Sequence, residues 1–491
     1  MPKLRKNPPP DAPATGNKRR KMQHQDTFTG KIGFVMAAAG SAVGLGNIWR
    51  FPYLAAQYGG GVFLITYLIL MLTFGYALLI AENYLGRTTG KGPIGAFREL
   101  CRGKSSFLGH IRFGGYLNSL APLLILPYYC VIGGWVTKYV VASFTNPVGA
   151  FNSSEYSQQY FGAFISSTWE PLIYFLIFLA ITVAVVAFGV RRGVERSSKI
   201  LMPLLILMII GICVYCAFLP GAAEGFGYYL LPDWSKFSHM TVVAAIGQLF
   251  FSLSIAMGIM ITYGSYMHKD DDLVSNVNQV EMFDTGVSFL AGMMIIPAVV
   301  AFGGKAAAQS AGPGLVFVTM PQVFAHFNSF ELCGVGNGQL FGIAFFVLVL
   351  FAAATSAISI LETNVQTACQ ELGIPRKKAL LFCTIEAAAI GIITVLGYSV
   401  FKNVRPLFFI SQCRNYDILD SLDFISNSVV MPIGALFTTI LVVAVIGLER
   451  FSADIVRNCR WKRQYLFQLC MCVMVIPCLL IVLLSSLGFL S

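Results

Sequence analysis

An apolar stretch near the start of the chain is interrupted by Gly40-Ser41-Ala42-Val43-Gly44-Leu45-Gly46-Asn47. Three glycines around a small polar residue disfavour a continuous helix. A broken helix offers free backbone groups: its carbonyl oxygens can bind Na⁺, and a half-helix N-terminus attracts a carboxylate. A close-packed helix face is the alternative interpretation, because small residues also let membrane helices approach one another.

A second interruption lies midway along the chain, at Phe251-Ser252-Leu253-Ser254-Ile255-Ala256-Met257-Gly258. Serines and a glycine again stand inside an apolar run. Broken helices at corresponding positions in two halves of a transporter indicate the binding site. The two breaks therefore predict a pair of inverted repeats, although no residue-level similarity between the halves supports the repeat directly.

Charged residues also stand in or near apolar runs, at Arg50, Glu82, Asp284 and Asp423. A charge in lipid is costly unless it faces water or a partner, so such residues are functional candidates. Arg50 follows the first break by one turn, and Asp423 is a plausible partner for it. The neutral polar residues inside apolar runs that fit the same centre are Gln248, Thr355 and Ser356. Hydroxyls alone are weak evidence, because intramembrane Ser and Thr usually bond their own helix backbone.

Membrane-spanning helices are the elements that must position these residues. The chain has 491 residues, of which 56% are hydrophobic and 12% charged, too few polar residues to cover a soluble protein. Continuous apolar runs of about 20 residues are typical of helices that cross a bilayer. We predict eleven spans, near residues 31–55, 62–85, 114–142, 171–189, 197–219, 241–266, 283–303, 340–369, 379–398, 421–447 and 464–489.

These spans, numbered 1 to 11, divide the chain into four parts. Residues 1–27 are rich in Pro, Lys and Arg and are predicted to form a disordered tail without a cleavable signal peptide. Residues 28–219 contain the first five spans. Residues 220–447 contain the next five, with a short helix outside the membrane near 318–330. Residues 448–491 contain a loop and the final span.

Lysine and arginine collect on one side of this arrangement, in the tail, after spans 2, 4 and 8, and before span 11. The positive-inside rule places that side and the N-terminus in the cytoplasm, with the C-terminus outside an inner cell membrane. The net charge of +11 then reflects topology, and a nucleic-acid partner has little support. Most of the 12 cysteines lie within spans and are interpreted as small buried residues, while Cys333 and Cys413 fall in two different external loops.

Several functions fit such a bundle on these grounds alone. Carbonyl-lined breaks suit a transporter, but they also suit the selectivity filter of an ion channel. An intramembrane enzyme is disfavoured, because the sequence contains no zinc-type HExxH motif and no convincing nucleophile–base pair. A sensor that binds a ligand without transporting it remains open.

The segment Ala38–Pro52 (AAGSAVGLGNIWRFP), followed by Tyr53 and Gly59-Gly60-Gly61, resembles the signature first helix of the neurotransmitter:sodium symporter family. Tyr128-Tyr129 with Gly133-Gly134-Trp135 resembles its third helix, and the resemblance covers roughly residues 30–447. It implies an all-α polytopic membrane protein with the LeuT-type 5+5 inverted repeat and broken helices one and six, of the bacterial eleven-helix type. It also implies a sodium-driven symporter for an amino acid, in membrane lipid, with no obligatory protein partner evident.

The resemblance further implies two sodium sites and a substrate pocket. One sodium site would use Gly40, Val43, Ala352, Thr355 and Ser356. The other would use Ala42, Asn47, Ser252, Asp284 and the substrate carboxylate. The substrate would contact Ser41, Ala42, Gly44, Leu45, Gly46, Ile125, Tyr129, Phe251, Ser252, Ser254, Met257, Ser356 and Ile360. Oxygen ligands suit a hard cation such as Na⁺.

Three positions narrow the range of substrates and ions that the protein is expected to bind. Amine-transporting relatives have an aspartate at the position of Gly44, so a glycine there favours a substrate with its own carboxylate; the apolar pocket favours a neutral hydrophobic amino acid. Ala256 replaces a common glycine and is expected to limit space for the largest substrates. Chloride-dependent members bind chloride at residues matching Tyr67, Gln248, Ser252 and Ser288, usually with an asparagine. Asp284 stands in place of that asparagine, so its fixed negative charge predicts transport without chloride.

The predicted gates follow the family on one side only. The outer gate would use Arg50 and Asp423 above Tyr129 and Phe251. At the inner gate the usual arginine, tryptophan and aspartate are replaced by Gln25, Phe28 and Gln370, which predicts a weaker latch, although Tyr266 is retained. Glu82, Gly193 and Pro203 would support the helices, the last two by letting span 5 unwind toward the cytoplasm.

Overall fold

The computed structural model describes residues 27–145, 151, 153–308, 314–326, 331–332, 335–410 and 413–489. Nine helices in this part of the chain are long and apolar enough to cross a membrane. They correspond to predicted spans 2–5 and 7–11 and comprise Gly61–Thr89, His110–Thr145, Trp169–Ala187, Val190–Ala217, Leu273–Gly304, Asn337–Leu372, Arg376–Leu396, Ile418–Ile446 and Gln464–Ser486.

The two remaining spans are the ones predicted to be broken. Span 1 consists of Lys31–Ala42 and Gly46–Gln57, which are bent by 47° relative to each other. Span 6 consists of His239–Ser252 and Ile259–Ser265, with non-helical backbone over residues 253–258 between them. Span 6 is therefore present as two short helices, neither of which is long enough to cross a bilayer alone.

The irregular backbone is not confined to the breaks. Span 5 begins with the π-helical turn Val190–Glu195, and span 10 contains two more, Phe424–Val430 and Leu441–Ile446. Each π-turn inserts one extra residue into the helical repeat and frees backbone groups locally. Such turns occur often at functional sites, and the first of them lies where span 5 is predicted to unwind.

Short elements connect the spans. The longer helices among them are Pro93–Leu100, Ser154–Ser166, Ala222–Leu230, Leu315–His326 and Leu448–Val456. Glu331–Leu332 and Val335–Gly336 form a two-residue antiparallel pair. The helix predicted near 318–330 thus begins at Leu315, because a π-turn over Leu315–Thr319 precedes its α-helical part, and residues 327–330 lie outside the described chain.

Burial separates central from peripheral spans. In the most apolar stretch of span 3, 83% of residues are buried, compared with 28% in span 5. Span 8 is also largely buried, at 72%, whereas only 33–39% of residues are buried in the corresponding stretches of spans 4, 9 and 11. The apolar surface that these three spans expose suits contact with lipid. Spans 1 and 6 are also buried over most of their residues, so they lie in the interior with spans 3 and 8, and both breaks lie there.

Candidate functional site

A small, nearly closed cavity lies where the two breaks meet spans 3 and 8. The space open to the centre of a water molecule is only about 20 Å³, so the lining residues and not the volume indicate what the cavity could bind. Its walls combine backbone and hydroxyls on one side with apolar side chains on the other. The lining residues are Ser41, Ala42, Gly44, Gly46, Ile125, Tyr129, Phe251, Ser254, Met257, Ser356 and Ile360.

Two glycines of the first break let side chains from other spans pack directly against its main chain. A Cβ on Gly44 would overlap the Ser356 hydroxyl and lie 3.1 Å from the Tyr129 hydroxyl. A Cβ on Gly46 would lie 2.5 Å from the ring of Phe251. Any side chain at these two positions would therefore force Ser356 or Phe251 to move, and the cavity wall there is main chain.

The C-terminal end of Lys31–Ala42 presents carbonyl oxygens to the centre of the bundle. The last four carbonyls of a helix have no partner within it. The Val43 N–H donates to the Ala39 carbonyl, at 2.7 Å. The Ser41 carbonyl accepts from the hydroxyls of Ser254 and Ser356, at 3.1 and 3.0 Å. The other two carbonyls of this helix end belong to Gly40 and Ala42, which are both predicted sodium ligands.

Span 8 brings its two predicted hydroxyl ligands to the same place. Ser356 reaches the first break through its bond to the Ser41 carbonyl. The hydroxyl of Thr355 donates to the carbonyls of Phe351 and Ala352 in its own helix, at 3.0 and 3.1 Å. A hydroxyl that donates one proton still has lone pairs to offer a cation. Both side chains are buried.

A buried polar cluster lies on the other side of the first break. The Asn47 side-chain amide donates to Asp284 Oδ1 at 2.7 Å and to the Ser288 hydroxyl at 2.8 Å. Asp284 Oδ2 accepts from the hydroxyls of Tyr67 and Ser252, at 3.0 and 3.4 Å. The side-chain amide of Gln248 donates to the Gly46 carbonyl at 2.8 Å. Spans 1, 2, 6 and 7 therefore meet around one fully buried carboxylate.

The second break is held in a strained conformation. Ser254 and Ala256 have φ values of 53° and 58° and are the two non-glycine residues with positive φ in the described chain. Such backbone is costly for residues other than glycine and persists only where surrounding contacts hold it. Glu82 from span 2 provides one such contact, because its Oε1 accepts from the Ala256 N–H at 2.6 Å. Glu82 thus supports the break and does not line the cavity.

A vestibule opens above the cavity, on the side away from the basic loops. Its walls contain both predicted gate charges, Arg50 and Asp423. The Arg50 guanidinium lies 5.4 Å from the ring centre of Phe251, while Asp423 accepts from the Tyr128 hydroxyl at 3.1 Å. Arg50 and Asp423, which both belong to the described part of the chain, form no ion pair with each other. The ring of Phe251 lies 6.4 Å from that of Tyr129, between cavity and vestibule.

Aromatic rings close the bundle on the opposite, basic side. Phe28 is only 1% exposed and packs edge-on against Phe34, Tyr263 and Tyr266, with ring centres 5.6 to 5.9 Å apart. Its N–H donates to the Tyr266 carbonyl at 3.2 Å. The phenylalanine that replaces the usual tryptophan therefore still fills the inner end of the bundle.

A charged network behind these rings was not predicted from the sequence. Glu362, a fully buried residue of span 8, accepts from the Tyr266 hydroxyl at 2.8 Å and from both ends of the Arg376 guanidinium. Arg376 also donates to the Val186 carbonyl at 2.9 Å. The carboxylate within the apolar run of span 8 could have identified it, because an intramembrane charge requires a partner.

The two glutamines predicted at the inner gate are not seen together. Gln25 lies outside the described residues. The Oε1 of Gln370 accepts from the Gly92 N–H at 2.8 Å, which ties span 8 to the helix Pro93–Leu100. The weaker latch expected from the missing Arg–Asp pair stays a prediction.

The segment that precedes span 1 is clamped to span 5. Glu195 accepts from the Thr29 N–H at 3.0 Å and also from the Thr29 hydroxyl. Arg191 donates to the Thr27 carbonyl at 2.7 Å. Glu195 is the last residue of the π-helical turn that contains Gly193, and Pro203 follows within Arg196–Ala217. Any unwinding of span 5 at Gly193 would act directly on this clamp.

Eleven of the thirteen predicted substrate residues line the cavity. Leu45 instead lines the vestibule, although its N–H donates to the Tyr129 hydroxyl at 3.3 Å. Ser252 lies in the polar cluster around Asp284. The pocket's boundaries therefore differ from the prediction only at its outer and sodium-facing edges.

The family model for the sodium:neurotransmitter symporter family matches residues 25–160 and 161–489. This chain belongs to that family. An uncharacterized sodium-dependent transporter of Bacillus subtilis is 34% identical over 87% of this chain and 89% of its own length. A similarly described protein of Haemophilus influenzae is 33% identical over 87% of this chain and 90% of its own. The resemblance recognised in the first helix is thereby confirmed.

The symporter fold is also confirmed by a solved structure. The crystal structure of MhsT in complex with L-phenylalanine matches with a TM-score of 0.83 and 35% identity. The match covers 94% of this chain and all of that one. The chain is thus a sodium-dependent, multi-pass membrane transporter with the LeuT-type fold, and not an enzyme.

Proposed function

We propose that this symporter couples the uptake of a neutral, hydrophobic amino acid to the entry of two sodium ions. The observation that carries the proposal is the cavity at the two breaks, where main-chain groups face one end and Ile125, Met257 and Ile360 face the other. A zwitterion with an apolar side chain matches both ends. MhsT, which is 35% identical to this chain, was crystallised in complex with L-phenylalanine, and this ligand belongs to the same substrate class.

Gly44 supports a substrate that brings its own carboxylate. No acidic side chain lines the cavity, and the wall at Gly44 is main chain. Half-helix N–H groups stabilise a negative charge. The substrate carboxylate would lie here, beside the sodium ion proposed at Ala42, Asn47, Ser252 and Asp284.

The second sodium ion would bind between spans 1 and 8. Its ligands would be the main chain of Gly40, Val43 and Ala352 with the hydroxyls of Thr355 and Ser356. The unpaired end of Lys31–Ala42 and the bond from Ser356 to the Ser41 carbonyl bring these groups together. An all-oxygen set suits a hard cation.

Chloride has no role in the proposed cycle. The hydroxyls of Tyr67 and Ser252, which would bind the anion in chloride-dependent relatives, donate here to the carboxylate of Asp284. That carboxylate supplies the negative charge beside the sodium ion. A free chloride ion at the same place would be repelled by it.

The basic side of the bundle is proposed to face the cytoplasm, in the cell's inner membrane. The basic segments on this side are the N-terminal segment and the connections between spans 2 and 3, 4 and 5, 8 and 9, and 10 and 11. Positive residues are retained on the cytoplasmic side during insertion. The vestibule at Arg50 then opens outward, and the C-terminus lies outside.

Uptake by proteoliposomes tests the proposal. Labelled leucine or phenylalanine should accumulate with an inward sodium gradient, saturate with concentration and fail to accumulate in choline. Thr355→Ala should raise the sodium concentration needed for half-maximal uptake, because a buried cation would lose one ligand. Thr384→Ala is the matched control, because the Thr384 hydroxyl bonds only its own helix, in span 9. Equal uptake in sodium and choline would refute sodium coupling, and a current that exceeds turnover would indicate a channel.

A further inference from the structure

A basic groove lies on the cytoplasmic side, remote from the substrate cavity. It is formed by the loop between spans 2 and 3, including Pro93–Leu100, and by the end of span 8. Its cationic side chains are Lys91, Arg98, Arg102, Lys104 and Arg112, and its carboxylates are Glu99 and Glu371. Positive charge therefore exceeds negative charge in one concave surface.

The carboxylates are already used within the groove. Glu99 pairs with Lys91, and Glu371 pairs with Arg98. Lys104 donates to the Val445 carbonyl at 2.8 Å, which holds its charge in place without neutralising it. Among the described residues, Arg102 and Arg112 pair with no carboxylate, and both are exposed. Three cations are thus left without a counter-charge.

Cys101 lines the groove close to two of these cations. Burial raises the pKa of the Cys101 thiol, whereas the positive charges of Lys104 and Arg112 act in the opposite direction and lower that pKa. Both cations therefore act on one point inside the groove. A ligand placed there would experience their charges together.

The groove continues into an apolar strip on span 3. Phe113, Tyr116 and Leu120 are 47%, 48% and 41% exposed, and their spacing places them on one face of the helix. The Arg112 guanidinium lies 5.4 Å from the ring centre of Phe113. Arg98 donates to the Tyr116 hydroxyl at 3.4 Å. Basic groove and apolar strip therefore form one continuous surface.

We propose that this surface binds an anionic phospholipid of the cytoplasmic leaflet. Arg102, Lys104 and Arg112 surround its phosphate, and an acyl chain lies along Phe113, Tyr116 and Leu120. A soluble phosphate compound would use only the charged half of the surface. The lipid uses both halves, and it is present at this depth because span 3 enters the membrane here. The proposal rests on the orientation proposed above and not on the transported substrate.

Native mass spectrometry of the full-length protein in detergent tests the charged half. Titration with phosphatidylglycerol should show one retained lipid that phosphatidylcholine of the same chain length does not replace. Arg102→Gln with Arg112→Gln should weaken its retention on the order of thirtyfold, at about 1 kcal/mol for each charge. Lys377→Gln with Lys378→Gln removes two exposed charges from the same side and should leave retention unchanged. Equal losses in both variants, or no loss in the first, would overturn the proposal.

The apolar half has its own test. Phe113→Ser with Leu120→Ser keeps every charge and should also weaken retention of phosphatidylglycerol. Soluble glycerol phosphate should bind the unmodified protein far more weakly than the lipid does, and binding of equal strength would overturn the lipid assignment. Amino-acid binding should be unchanged in each variant, which reports that the chain is folded.

Discussion

The hydroxyl of Tyr67 lies 3.0 Å from Oδ2 of Asp284, and neither side chain has contact with solvent. The Tyr67 hydroxyl donates its hydrogen to this carboxylate. Without the carboxylate, the same hydroxyl could donate to a bound anion. The same carboxylate accepts from Asn47, a proposed sodium ligand. The buried carboxylate therefore lies where the proposed sodium site and the residues that match the family's chloride site meet.

Replacing Asp284 by asparagine should make uptake depend on chloride. At a separation of about 4 Å and an effective dielectric of about 20, the interaction between Asp284 and Na⁺ is worth about 4 kcal/mol, and the amide loses it. Uptake by the variant should be low in gluconate and recover in chloride. The unmodified protein should transport equally in both. Loss of uptake by the unmodified protein in gluconate would contradict the assigned role of Asp284.

An aspartate in place of Gly44 should abolish amino-acid binding. Its carboxylate would enter the place proposed for the substrate carboxylate and repel it in a site of low dielectric. Even the Cβ would overlap the Ser356 hydroxyl. Binding can be measured by scintillation proximity, with Gly286→Ala as the control because a Cβ there contacts nothing within 4 Å. Unchanged affinity of Gly44→Asp would show that the substrate lies elsewhere.

Arg376→Gln should shift the protein toward its inward-open state. Removing one partner of a buried ion pair leaves the other charge uncompensated, at a cost of about 3–5 kcal/mol when burial is complete. Labelling of a reporter, Ser265→Cys, which is 6% exposed here, should increase. The double variant Glu362→Gln with Arg376→Gln should be labelled less than the single variant, since it leaves no orphan charge. Equal labelling of single and double variants would argue against this pair as a latch.

The difference between Asp284 and Glu362 shows what could be predicted from the sequence. Asp284 is a candidate from the sequence because it is a carboxylate inside an apolar run, and the family resemblance then indicates its role. Glu362 stands in an equally apolar run, but its partner Arg376 lies beyond the end of its own span and no local spacing pairs them. The Thr29–Glu195 contact joins residues 166 positions apart. Local rules thus located the breaks and their glycines, whereas contacts between distant helices required the packed structure.

Loss of the Glu195 carboxylate should open the cytoplasmic side. Glu195 is 2% exposed and accepts from Thr29 and Lys199, so Glu195→Ala removes charge-assisted hydrogen bonds worth about 1.5–3 kcal/mol each. Labelling of the Ser265→Cys reporter should rise by about tenfold or more. Arg196→Gln, an exposed change on the next residue, is the control. An unchanged labelling rate in Glu195→Ala would mean that the clamp does not restrain opening.

Ala256→Gly should relieve strain in span 6 and widen the range of substrates. A non-glycine residue in left-handed backbone costs about 1–2 kcal/mol, which glycine avoids at an entropic cost of about 0.5–1 kcal/mol. The melting temperature should therefore stay level or rise, even though a fully buried methyl group is lost.

The matched control for that change is Ala245→Gly. Ala245 is equally buried and lies in the helical part of the same span, so glycine there should lower the melting temperature by the equivalent of about 1 kcal/mol. Ala256 stands in the chain between Ser254 and Met257, which both line the cavity, although Ala256 itself does not. Removal of its methyl group should let tryptophan compete more effectively with leucine for uptake. If Ala256→Gly and Ala245→Gly are equally destabilising, the positive φ at Ala256 stores no strain; if tryptophan gains nothing, Ala256 does not limit the pocket.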